Sequence, residues 1–303
     1  MTVGKKIEAI DYNRIRNKII AVLGPGGINP NSGAASPGFG YGQSIQSSSV
    51  SIANKVSKSQ WDDLRWDIYN CLFHQTATVP AIQSVTTNSK IQSTILNYET
   101  FADTAIANRF AAALSNLAPE GGTSSTGAST SRNFAWSSAA TCTVTVAFSN
   151  ATTARYFFNS GGKIRFASSF VKSLNNSQNI AWENLLSDVG TQAFGGNTFY
   201  TLTSSYQNWY TSPPRSTPYN SLSFQLDALV NVANNSAGTA SQITFRARWI
   251  DNYTDPGPPA PGDSVEGTLS LTASQLRAVT SRQPSGTPYS ITGPSSYNIS
   301  TIT

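Results

Sequence analysis

The sequence predicts an α+β protein: an N-terminal mainly helical region, then a mainly antiparallel, sandwich-like β domain with two short inserted helices. Three observations predict it. Before residue 118, apolar residues recur at helical spacing, as in Trp61, Leu64, Ile68 and Leu72. After residue 132 they alternate with polar ones, as in Thr141 to Phe148 and Gln242 to Ile250. Between the two, Glu120 to Ser131 is Gly/Ser/Thr-rich and almost uncharged, the composition of a flexible linker. The expected division is a helical attachment region over 1–118, a linker over 119–131 and a β-rich domain over 132–303.

Taken in order, Asp11 caps a first helix ending near Leu23, with Ile15, Ile19 and Val22 on one face. This is the candidate attachment helix. Gly24, Pro25, Gly26 and Gly27 stop it, and a Gly/Ser/Pro/Asn loop runs over 24–49. A loop that long is functional or docked. Ser57 and Gln60 form a capping box for a helix running to about Gln75. A third helix fits Tyr98 to Leu114, ended by Pro119.

The centre of the β domain is a strand, a short helix and a strand over Thr141 to Phe170. Val144 and Val146 face one way; Ser149 caps a helix over Ala151 to Asn159; Ile164, Phe166 and Ser168 resume the alternation. Phe157 belongs to the core. A helix over Asn179 to Val189 buries Trp182 and ends at Gly190. Further strands are expected at Thr198 to Tyr206, Ser221 to Val232, Gln242 to Ile250 (with Trp249 inward) and Gly267 to Thr272, the middle two joined by a turn at 234–238. Prolines 256, 258, 259 and 261 break the chain into a rigid loop. The tail from Gln283 either stays disordered or adds a strand to a neighbouring subunit.

Composition narrows the function. Of 303 residues only 12% are charged, while Ser and Thr make up about a quarter and Trp and Tyr number 6 and 12. Such a chain suits strands whose faces are covered by partners or by each other. The net charge is +5, with Lys5, Lys6, Arg14, Arg16 and Lys18 near the N-terminus. No aromatics interleave with them to stack bases, so a solvated helix face is expected and a nucleic-acid partner is not. No run reaches the ~18 apolar residues of a membrane span. The polar start lacks a secretory apolar segment, so synthesis in a cytoplasm is expected. Cys71 and Cys142 are expected to be buried thiols, although spacing alone leaves a disulfide open.

Reactive constellations are sparse. Cys71 and His74 have metal-ligand spacing, but a zinc site needs about four ligands. His74 is the only histidine and no G-x-S-x-G elbow accompanies it, so it reads as a helix-end residue satisfied by a carbonyl or water. The carboxylates Glu183, Asp188, Asp227, Asp251, Asp255, Asp263 and Glu266 show no spacing that singles out a catalytic pair. No catalytic, cofactor or metal residue is assigned. The best candidate contact surface is Tyr206, Trp209, Tyr210 and Tyr219, as subunit-interface anchors or as platforms for sugar rings.

VGKKIEAIDYNRIRNKIIAVLG, GYGQSIQSSSV and SQWDDLRWDIYNCLFHQT resemble the N-terminal half of a group of virion structural proteins of tailed bacteriophages, notably contractile-tailed cyanophages. TVTVAFSNATTARYFFNSGGKIRFASSF, WENLLSDVG and FRARWIDNYTD resemble the second half of that group. The resemblance implies membership of a virion, in the tail, neck or baseplate, assembled in the host cytoplasm. It implies contact with other virion proteins and carries no functional residues with it. The expectation is a non-enzymatic, cofactor-free part that packs against copies of itself in a ring or trimer. The alternative is a host-surface glycan-binding module of the same particle.

Overall fold

The computed structural model describes residues 8–78, 80–85, 92–254, 265–282, 284–289 and 291–303. The chain is α+β and divides into two compact units. The first comprises residues 1–118, 155–162 and 277–292, the second residues 119–154, 163–276 and 293–303. Each unit therefore takes three separate chain segments, and a cut at 118 would strip the first of two of its pieces. Lys5, Lys6, the proline loop over 256–261, Asp255 and Asp263 lie outside the described residues.

In the first unit, α1 (Ala9–Leu23) leads through a small hairpin of β1 (Gly27–Ile28) and β2 (Ala35–Ser36) to α2 (Lys58–Thr76) and α3 (Gln92–Ala107). Ring edges lock the three helices. Trp61 meets Tyr12 at 5.1 Å and Tyr98 at 5.3 Å between centroids, both near perpendicular. Ser57 caps α2, accepting from the Gln60 amide while the Gln60 side chain accepts from the Ser57 amide. At α1 the N-cap is Glu8, and Asp11 sits three residues inside, its carboxylate accepting from the Glu8 amide. The Asp11 cap is thereby corrected by three residues. Ile15, Ile19 and Val22 are fully buried within this unit. That face is occupied by the chain's own helices, so it is not open to another protein. Arg14 and Lys18 pair with Glu99 and Asp103 on α3.

The long loop docks on the end of α1. The amides of Tyr41, Gly42 and Gln43 donate to the carbonyls of Val22, Gly24 and Leu23. Gly42 has φ +69°, and a Cβ there would meet the Tyr156 ring at 2.3 Å. Gly42→Ala is expected to cost about 2–4 kcal/mol, combining left-handed strain with overpacking. Urea unfolding checks this, and an unchanged midpoint would refute the docking.

The second unit is a sandwich. One sheet has the order β12 (Ser296–Ile299), β5 (Ala139–Ala147), β10 (Gln242–Asp251), β9 (Leu222–Val230) and β8 (Gln207–Thr211). The other runs β3 (Leu117–Glu120), β11 (Val265–Ala278), β6 (Lys163–Lys172) and β7 (Thr191–Phe194), with β4 (Gly127–Trp136) also on β11. The strands run antiparallel in these pairs, with Phe245 opposite Val144 and Ala228, and Ser270 opposite Ser131 and Ser169. Between the sheets, Phe166 packs on Phe245 at 4.7 Å, and the Trp249 indole donates to Ser168 Oγ at 2.9 Å. The helix α4 (Ala151–Asn159) follows β5, α5 (Ser177–Val189) follows β6, and the single-turn α6 (Gly196–Phe199) follows β7. Trp61, Leu64, Ile68, Leu72, Val144, Val146, Phe157, Ile164, Phe166, Trp182 and Trp249 are all buried.

Several expectations are corrected. Residues 119–131 are not a linker: β3 reaches Glu120 and β4 begins at Gly127. Short hydroxyl side chains suit the outward side of a strand as well as they suit a coil. The third helix is Gln92–Ala107, ending well before Pro119, and Arg109 leaves it to stack on Phe39 and Phe110. Asn150, not Ser149, caps α4, its side chain accepting from the Thr153 amide at 2.9 Å. Thr198 to Tyr206 is not a strand, because the buried residues Phe199 and Leu202 are three apart, a helical rather than alternating spacing. The tail adds a strand to its own sheet: β12 pairs with β5, with Tyr297 buried.

Candidate functional surfaces

His74, near the end of α2, is buried in the first unit. Its Nε2 lies 2.7 Å from the Ser160 carbonyl and its Nδ1 2.6 Å from Thr280 Oγ1. A carbonyl only accepts, so the proton sits on Nε2 and Nδ1 accepts from threonine. Burial drives the ring's pKa down to about 4, against a smaller upward pull from the Ser160 carbonyl. Tyr41 and Tyr289 close over it edge-on. Cys71 is a free buried thiol, pushed up by burial and by the nearby Asp67 carboxylate. Cys142 is free and buried too. Asp67 accepts from the amides of Gln46 and Ser47, with burial raising its pKa. Both nitrogens of His74 are thus engaged, which leaves it no lone pair for a metal or a substrate. Among the described residues no group of three His, Cys, Asp or Glu side chains converges.

In the second unit Asp251 ends β10 and accepts from Gln178, Trp182 and the Tyr253 amide. Its role is to tie α5 to the sheet. Asp227 on β9 faces outward but is covered by Arg246, Arg248 and Asn208. Burial alone would raise its pKa; the hydrogen bonds from these three side chains outweigh that and hold it below the usual carboxylate value. Its contribution is therefore present above the ordinary aspartate pKa and lost as pH falls through the depressed one. Asp227→Asn leaves two arginines side by side on β10. We expect a loss of roughly 1–2 kcal/mol that shrinks in high salt. Chemical denaturation at two ionic strengths measures it, and no salt dependence would count against the ion pairs.

The four sequence-selected aromatics do not share a platform. Tyr206 lies under the Arg246 guanidinium at 4.2 Å, on the outward side. Trp209 turns inward to Phe194 and Phe166, and a register shift between Asn208 and Tyr210 sets Tyr210 opposite the buried Leu226. Tyr210 packs on Phe224 and Tyr219 on Tyr253.

What sequence reasoning missed is the outward face of the sheet containing β4, β11 and β6. There Ser131, Ser270 and Ser169 lie in one row, and Ser129, Thr272 and Ala167 in the next. The residues on β4 and β6 in these rows are exposed, as is Thr272. The signal was present as the polar half of each alternation; two of these six residues, Ser129 and Ser131, lay in the stretch assigned to a linker. No family model matches this chain, and neither does any curated protein or solved structure.

Proposed function

We propose that this protein is a non-enzymatic structural component of a tailed phage particle, in the tail, neck or baseplate, working by packing against copies of itself and its neighbours. One observation carries the assembly part: a broad sheet face of short, nearly uncharged side chains lies exposed in the single chain. Such a face offers little for chemistry and much for close contact. Two further points support it. The buried ionisable groups His74, Asp67, Asp227 and Asp251 are each held by the chain's own groups. The placement in a virion rests on the resemblance of the segments quoted above.

Light scattering on the purified chain tests the assembly, with a stable homo-oligomer expected. Antibody labelling of purified particles tests the placement. A monomer at about 100 µM that hydrolyses a polysaccharide would end the proposal. Glycan binding lost on Tyr206→Ala, without self-association, would support host-surface recognition instead.

A further inference from the structure

We infer that the outward face of the β4–β11–β6 sheet is a two-fold interface, occupied by the same face of a second copy of this chain. This rests on the assembly reading above and names its surface. Three features lead to it.

The first is size. Three strands at ~4.8 Å spacing and ten residues at ~3.3 Å give a footprint of roughly 480 Å². Standard interfaces bury about 800 Å² of accessible surface per partner, and a pleated face exposes more than its flat footprint. The second is side-chain length. Ser129, Ser131, Ala167, Ser169, Ser270 and Thr272 are short, so two such faces can approach closely without ordering long side chains.

The third is charge placement. Glu266 is at one end of the face and Arg165 at the other, opposite Ser274. Among the described residues neither forms an ion pair, and Arg165 Nε is buried without a hydrogen-bond partner. A two-fold axis across the strands through the Ser270 row reverses the strand direction. It brings Glu266 of each copy over the Ser274 and Arg165 end of the other, giving two reciprocal pairs. An axis along the strands would set Glu266 beside Glu266. Charge thus selects the first arrangement. It also lays Val171, an exposed apolar residue beside Thr268, over Ala167 of the second copy.

Sedimentation equilibrium of the full chain tests this. The wild type should associate in even numbers. Ser169→Lys places two cations across the axis and should weaken association at least tenfold, with an unchanged circular dichroism spectrum. Glu266→Arg and Arg165→Glu should each weaken it several-fold, and the double exchange E266R/R165E should recover most of the loss. An oligomer indifferent to Ser169→Lys would overturn this interface while leaving the assembly reading standing. A wild-type monomer at every concentration would overturn both. Single exchanges that weaken association with no recovery in the double would overturn the two-fold arrangement.

Discussion

Trp249→Ala is expected to destabilise the second unit by about 3–5 kcal/mol, the range for truncating a large buried aromatic. Trp249 has no solvent exposure, packs on Phe224 and reaches Ser168 on the opposite sheet. Alanine would remove a large side chain bridging the layers and leave a cavity between rigid strands that cannot collapse to fill it. Ser168 would keep its bond to the Ser270 carbonyl, so the loss is mostly packing. Trp249→Phe separates the parts. It retains most of the volume, loses one hydrogen bond and should cost about 1–2 kcal/mol. Denaturant titration followed by near-ultraviolet circular dichroism reads both. A loss under 1 kcal/mol for the alanine variant would mean that this residue does not hold the sheets together.

Acidification should remove about 3 kcal/mol of stability through His74 alone. The sign follows from the shift: the folded pKa is about 4 and the unfolded value is 6.5. Between these, the unfolded chain takes up a proton that the folded chain refuses. The stabilisation is complete above pH 6.5 and is lost as pH falls towards 4, by roughly 1.4 kcal/mol per unit. Asp67, with its raised pKa, opposes this over part of the same range, so the wild-type profile by itself mixes the two. His74→Gln isolates the histidine. Its amide can still donate to the Ser160 carbonyl but cannot titrate. The difference between wild type and variant should therefore change by about 3 kcal/mol from pH 7 to pH 4. Parallel profiles would show that His74 titrates normally, and would contradict the buried neutral ring.

These two residues also show how far the sequence could be read. Trp249 was legible because Ile243, Phe245, Ala247 and Trp249 alternate cleanly, and a strand buried on one face must show that period. The Ser57 capping box and the α4 limits, Ala151–Asn159, were legible for the same kind of reason: each is local. The environment of His74 was not. Its partners Ser160 and Thr280 come from segments 86 and 206 residues away. The four aromatics at 206–219 looked like one cluster along the chain, but Trp209 turns inward, Tyr206 stays outside under Arg246, and a register shift in β8 sets Tyr210 opposite the buried Leu226.

The sequence by itself determined the α+β class, the helical start, the alternating strands and the inward residues of each. Periodicity records which side of an element meets water, and that needs no knowledge of its neighbours. Only the tertiary structure decided which strands pair, that β5 and β6 part into different sheets, that the tail closes its own sheet, and that scattered serines align into one face. Those outcomes depend on hydrogen-bond ladders between distant segments, and short hydroxyl side chains carry no local mark that separates an outward strand position from a loop.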